Sequence, residues 1–428
     1  MSRGARAART LTAVAGVTAL ALTAAACGGG GDAGAEDGGE VTLEFAQWWE
    51  PELPAGMFRG LVDQFEEENP GIKVELLSGP YASTKEQVVA GAASGTMPDV
   101  VGLDGAWVHD FVDQGSIADL SALMGEAGYD EGQLASQVAI DGATYMIPVV
   151  NFAYMLFTND DLLAQAGVTA VPTNRTEFQD AAEKVSALGD NTSGWILPLS
   201  LETPNGIQND VMSWVWASGG EMLSDGKPDL TNPDVTSALE YIKELNDAGA
   251  IAPGAATLKE QDKLEEFTNG RVGMMISSLA HINLIRENNP DLKFSIAAVP
   301  SEDGYSGERG TPYASWGIGV AENSEHKAEA WKLIDFLLSE EANAELSTAA
   351  NAFPGNTTSV PDYVSGDELF QAAFDAWNAG YPANEFVGLP VAEQLMRDLD
   401  EELQRTLAED QPVEDTLEKA QEKWMAEF

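Results

Sequence analysis

Aromatic rings and short polar side chains gather just after the apolar stretches of this chain that read as strands. Trp48, Trp49 and Glu50 follow the alternating stretch 41–46, and Asp104 and Trp107 follow the short apolar run 99–103. Tyr81 opens a helical stretch behind a second strand, and Asn151 and Tyr154 lie in and after the apolar run that begins at Tyr145. Glu202 sits in a polar loop after 195–199, Ser277 ends the run that begins at Val272, and Trp316 precedes Gly317-Ile318-Gly319. Trp214 and Trp216 complete the set. Ring faces stack, and carboxylates, amides and hydroxyls pair with polar groups of a ligand. Loops at the carboxyl ends of strands are where open α/β sheets hold small molecules. The chemistry open to such residues is holding a molecule.

Signals for breaking or making bonds are missing. There is no HExxH zinc motif, no GxSxG nucleophile elbow and no P-loop. Cys27 is the only cysteine, so thiolate zinc sites and disulfides have no basis. His109, His281 and His326 stand far apart and read as ordinary surface residues. No metal or cofactor is expected.

Each candidate also has a plainer reading. Trp48 and Trp49 are both explained if they are core, although two adjacent tryptophans in a polar loop are hard to bury together. Trp107 and Tyr81 are as readily the packed starts of helices. Glu202 reads equally as a solvated acid. Trp214 and Trp216 point in different directions on a helix, so at most one can be a stacking platform.

The elements that must position these residues alternate. A strand at 41–46, a helix over 57–68 with Phe58, Leu61, Val62 and Phe65 on one face, and a strand at 72–76 form a βαβ unit. Helices are expected at 81–91, 107–114, 161–166, 175–188, 210–218, 236–248, 327–338 and from Val391 to the end. Strands are expected at 99–103, 145–150, 272–276 and 294–298. Pro148 interrupts the strand at 145–150.

Residues 1–27 carry Arg3, Arg6 and Arg9, then an apolar stretch too short and too rich in Ala, Gly and Thr to span a membrane. This is the pattern of a signal peptide. Its end, Ala24-Ala25-Ala26-Cys27, resembles a bacterial lipobox, although Ala24 stands where that pattern prefers Leu. The expectation is acylation of Cys27 and attachment to the outer face of the cell membrane. Residues 28–40, GGGGDAGAEDGGE, read as a flexible tether. The net charge is −48, from 22 basic and 70 acidic residues. Without the three signal-peptide arginines it is −51, since 19 basic residues then face the same 70 acids. Such a surface repels phosphate backbones, which argues against a nucleic-acid partner.

Five segments resemble the extracellular solute-binding proteins of ABC importers, family 1, the carbohydrate-binding class. They are FEEENPGIKV from Phe65, AGAASGTMPDVV from Ala90, the stretch from Tyr145 that ends in TNDDLLAQAG, FTNGRVGMMI from Phe267, and the helix from Ala328 to Leu338 followed by Glu340-Glu341. They occur in the family's order and spacing. The resemblance implies a two-lobed α/β fold of the periplasmic-binding-protein class II type, with a ligand cleft and three chain crossings near 149–151, 299–301 and 338–341. The first lobe would comprise 41–149 and 301–339, the second 150–300 and 340–428. It further implies a monomeric receptor, not an enzyme, which closes by hinge motion around a sugar or short oligosaccharide and hands it to the permease subunits. The loop carrying Trp48 and Trp49 and the hinge residues Asn151 and Tyr154 are cleft positions in that family. Beyond Ser277 the family often has a tryptophan, which Leu279-Ala280-His281 replaces here. A polyamine or other small solute remains an alternative ligand. A secreted glycoside hydrolase remains an alternative class, since any carboxylate pair among 70 acids is uninformative.

Overall fold

The computed structural model describes residues 40–189, 191–362 and 367–428. Cys27 and the glycine-rich tether lie outside the described residues.

In chain order the strands are β1 (Val41–Gln47), β2 (Ile72–Ser78), β3 (Val100–Leu103), β4 (Val138–Ile140), β5 (Ala143–Asn159), β6 (Ser193–Trp195), β7 (Leu223–Ser224) and β8 (Lys227–Pro228). They continue with β9 (Val272–Ser278), β10 (Phe294–Ala297), β11 (Arg309–Val320), β12 (Phe353–Pro354) and β13 (Gly380–Ala383). The helix Met57–Glu68 connects β1 to its parallel partner β2 and buries the four apolar residues that its sequence spacing places on one face. The helix Tyr81–Ser94 then leads to β3, which lies parallel to β1 on its other side. This is the expected parallel βαβ layer.

The sheet order is β2-β1-β3-β11-β5-β9-β6. Its centre is β5, 17 residues long and buried at every position from Met146 onward. Residues 147–153 of β5 pair antiparallel with β11, whereas 154–158 pair with β9 and 156–159 also with β10. One strand thereby passes from the first half of the molecule into the second. The interruption expected at Pro148 does not occur. Proline lacks an N–H for the ladder, and β11 accommodates it with a register shift between Trp316 and Gly317, opposite Pro148. Gly317 is required there, because a Cβ would sit 2.2 Å from Met146 Sδ and 2.7 Å from the Leu103 carbonyl oxygen.

One further expectation differs. The single helix over 210–218 is a π-helical turn, Ile207–Val211, followed by a short helix, Ser213–Trp216. Such π-turns mark places where a helix is re-aimed, often at functional sites. The helical C-terminal part is preceded by the helix Glu368–Asn378 and by β13, which pairs parallel with β11. The last two helices, Ala392–Glu409 and Val413–Met425, pack on each other and on the helix Pro233–Asp247. Among the described residues no helix is long and apolar enough to cross a membrane.

Candidate functional site

The loop after β1 is tied down by its own polar groups. Gln47 is fully buried, its side-chain amide donates to Ser78 Oγ at 2.6 Å, and its Oε1 accepts from the Glu50 N–H at 2.9 Å. Ser78 Oγ in turn donates to the Glu50 carboxylate. Glu50 is therefore engaged with β2. The carboxylate next to the aromatic cluster is Glu52, two residues on, which accepts a hydrogen bond from the Trp316 side chain.

With the loop fixed, its two tryptophans diverge. Trp48 meets Tyr81 edge-on at 5.2 Å and Trp107 at 5.7 Å between ring centroids. Trp49 stacks on Trp316 at 5.5 Å with the rings 8° from parallel, and takes Phe45 and Phe58 on its edges. Phe152 of β5 closes against Trp316 at 4.8 Å. The Tyr81 hydroxyl donates to Asp104 Oδ2 at 2.9 Å, while Asp104 Oδ1 accepts from the Ala106 N–H at 2.9 Å. The segments after β1, β2 and β3 thus bring Trp48, Tyr81, Asp104 and Trp107 together, while Trp49 on the same loop pairs with Trp316 of β11 in a second group.

Facing them is a polar group from the second half of the molecule. Asn205 donates to the Tyr81 oxygen at 3.4 Å, and Asn209 donates to the Tyr154 oxygen at 3.1 Å. Beneath lies a fully buried ion pair: Lys263 Nζ donates to Asp210 Oδ2 at 3.0 Å and to the Ile276 carbonyl at 2.6 Å, with Glu260 at 2.8 Å. Burial works against the charge on Lys263, but Asp210 and Glu260 outweigh it and hold its pKa above the usual range. Ser277 Oγ lies 2.7 Å from His281 Nδ1. Burial, with Glu260 opposing and Lys263 adding to it, pushes His281 down to about 4, so its ring is neutral at neutral pH. His281 therefore belongs to this polar group and is not the ordinary surface residue its sequence position suggests; Lys263 and Glu52 carry no local sequence signal that marks them.

Four expected contacts lie elsewhere. Asn151 pairs across the ladder with Ser315, so strand alternation turns it to the face opposite Trp316 and Phe152. Trp214 is walled in by Phe178 at 4.9 Å, Tyr241 at 5.0 Å and Trp195 at 5.6 Å, as core. Trp216 is buried as well, its N–H donating to Glu385 Oε2 at 2.8 Å. Glu202 is exposed and paired with Lys259, which is the solvated reading. A surface pocket lined by Val299, Arg309, Pro312 and Ala376 includes none of the aromatic cluster.

Burial raises the Glu52 carboxyl from 4.5 to about 8; the Trp316 bond opposes this and Glu260 adds to it. The native state then holds a proton that the unfolded chain has lost, so stability falls as pH rises through roughly 4.5 to 8. Glu52→Gln is expected to remove about 2–4 kcal/mol of that decline. Urea unfolding of both proteins at pH 5 and pH 8 checks it, and equal declines would show that Glu52 ionises freely in the native state.

The chain matches the model of the bacterial extracellular solute-binding protein family over residues 54–344. It belongs to that family. A putative binding protein of Brucella abortus is 31% identical over 370 residues, 85% of each chain. The diacetylchitobiose binding protein DasA of Streptomyces coelicolor is 24% identical over 387 residues, covering 87% of this chain and 88% of that one. Among solved structures, an ABC transporter solute-binding protein from Thermotoga lettingae bound with alpha-D-tagatose superposes with a TM-score of 0.77 at 22% identity, over 90% of this chain and 99% of the other. The fold is accordingly the two-lobed α/β architecture of periplasmic binding proteins.

Proposed function

We propose that this solute-binding protein is the extracellular receptor of an ABC importer and that it captures a sugar or short oligosaccharide in the cleft between its lobes. The observation that carries this reading is the convergence of Trp48, Tyr81 and Trp107 with Asp104 and Asn205, ring faces beside hydrogen-bonding groups from distant parts of the chain, with the Trp49–Trp316 stack on the other side of the same loop and Asn209 on Tyr154. Sugars present apolar ring faces rimmed by hydroxyls and need both kinds of partner. The sugar ligands named for DasA and for the Thermotoga lettingae protein agree with it. Hinge closure and release need no catalytic step. The lobes are assigned to 41–149 with 301–339 and to 150–300 with 340–428. The change of partners along β5 near Ala153 supports the first crossing. Acylation at Cys27 would hold the receptor at the outer membrane face, beside its permease.

A second reading has its own observation. Burial first, and then the nearby carboxyls of Glu260, Asp210, Asp104 and Glu52, push the Tyr154 hydroxyl well above the usual tyrosine range. That concentration of carboxylates suits a cationic ligand such as a polyamine. A thermal-shift screen of residues 41–428 against mono- and oligosaccharides and spermidine separates the two. A ligand binding only the folded state at a hundredfold excess over its Kd adds about 2.7 kcal/mol of stability. A shift with one sugar class, the sugar recovered intact, is the expected result. A shift with spermidine alone would replace the sugar reading, and a degraded sugar would make the protein an enzyme.

A further inference from the structure

We propose that Lys85 and Glu393 form a latch across the mouth of the cleft, and that the segment 384–393 is a strap whose contacts bias the lobes toward closure. Lys85 lies on the helix Tyr81–Ser94, which packs on β1 in the first lobe. Glu393 lies in the first turn of the helix Ala392–Glu409, which packs on the helix Pro233–Asp247 and the π-turn Ile207–Val211 in the second. The two side chains pair directly and are only 25% and 21% exposed. The Lys85 ammonium also sits 5.6 Å from the centroid of the Trp107 ring, an arrangement that favours a cation.

The residues just before Glu393 bind the first lobe as well. The Gly388 N–H donates to the Gly105 carbonyl at 3.1 Å, and the Val391 N–H to Asp110 Oδ1 at 3.3 Å. Val387 packs so closely over Gly105 that a Cβ there would lie 2.9 Å from it. Val391 itself has φ 43° and ψ 35°, the left-handed region, which a β-branched residue adopts only at a cost. Such strain persists where surrounding contacts hold it, and here those contacts join the strap to the first lobe.

Lys85 is the cation among a group of acids. Asp104 and Asp110 both feel the Glu393 charge, and Lys85 offsets it at Asp104. In a chain of net charge −48 the two lobes repel each other, so a cation bridging them has a large share in their closed pairing. Because apparent affinity scales with the fraction of molecules in the binding-competent form, the latch also tunes ligand capture.

The inference rests on the two-lobed fold and not on the identity of the ligand, so small-angle scattering of residues 41–428 without ligand tests it alone. Lys85→Met and Glu393→Gln are each expected to shift the closed-to-open ratio about fivefold and so to enlarge the radius of gyration. The double variant Lys85→Met with Glu393→Gln should open no further than either single variant, since both lose the same interaction. Should Lys85→Met fail to fold, Glu393→Gln, nearly isosteric at a helix start, carries the comparison. Radii equal to the unaltered protein for the folded single variants at low salt, or a double variant whose opening is the sum of the two, would overturn the latch.

Discussion

Lys263→Met is expected to destabilise the protein by about 3–5 kcal/mol, the cost of leaving a buried charge without its partner. Both side chains of the Lys263–Asp210 pair are fully buried, and the ammonium contacts the Ile276 carbonyl and Glu260 as well as Asp210. Methionine keeps the volume of the lysine stem but donates nothing. It leaves the Asp210 carboxyl, which burial already pushes well above the usual carboxylate range, with no ammonium to favour its ionised form, so that the group must take up a proton at neutral pH, and it leaves the Ile276 carbonyl without this donor. Asp210→Asn in the same chain should recover part of the loss by removing the need for that proton. Urea unfolding with the slope held constant reads both effects. A loss below about 1 kcal/mol for Lys263→Met would mean that water reaches the pair and solvates Asp210 in its place.

That pair also shows where the sequence stops speaking. Lys263 sits in a run of acids, Glu260-Gln261-Asp262-Lys263-Leu264-Glu265-Glu266, and by pattern alone it is a solvated helix charge. Only the tertiary fold lays β9 and the π-turn over it. Glu52 is hidden for a similar reason: it is one acid among 70, and its partner Trp316 arrives from β11, far along the chain. Local signals did mark the first-lobe half of the cluster. Trp48, Trp49, Asp104 and Trp107 each follow a strand with clear alternation or a short apolar run, and strand ends place side chains at one edge of the sheet. The βαβ start was legible because Phe58, Leu61, Val62 and Phe65 repeat with helical period and Asn69-Pro70-Gly71 ends the helix.

Beyond that the pattern misleads. β5 reads as broken because proline is usually excluded from inner strands, and the compensating register shift lies in β11. Trp214 and Trp216 looked like candidate stacking rings because nothing local distinguishes a buried tryptophan from a cleft one. Asn151 failed on parity, since a strand position one residue off faces the other side. The segment 384–393 carries no periodic signal at all; what marks it is its contact with Lys85, Gly105 and Asp110, 281 to 308 residues earlier in the chain.

Trp316→Ala has the other large expected effect, because one side chain serves packing, ionisation and recognition together. Trp316 is 3% exposed, stacked on Trp49, edged by Phe152 and bonded to Glu52. Truncation to alanine should lower stability by about 3–5 kcal/mol through the lost contacts and the cavity left behind. It should also cut the ligand-induced stabilisation from about 2.7 to about 1 kcal/mol or less at the same ligand concentration, as loss of a buried aromatic anchor costs at least about 2 kcal/mol of binding. Trp316→Phe separates these roles. Phenylalanine keeps most of the stacking area but offers no N–H, so the Glu52 carboxylate loses the one bond that favours its ionised form. Its pKa rises above about 8, and the decline of stability with pH, which in the unaltered protein ends near that value, extends to higher pH. Unfolding measured from pH 5 to pH 9 distinguishes the outcomes. A Phe variant with an unchanged pH profile would remove Trp316 as the partner of Glu52, while an Ala variant that binds sugar as tightly as the unaltered protein would move the recognition surface to the Trp48, Tyr81 and Trp107 group.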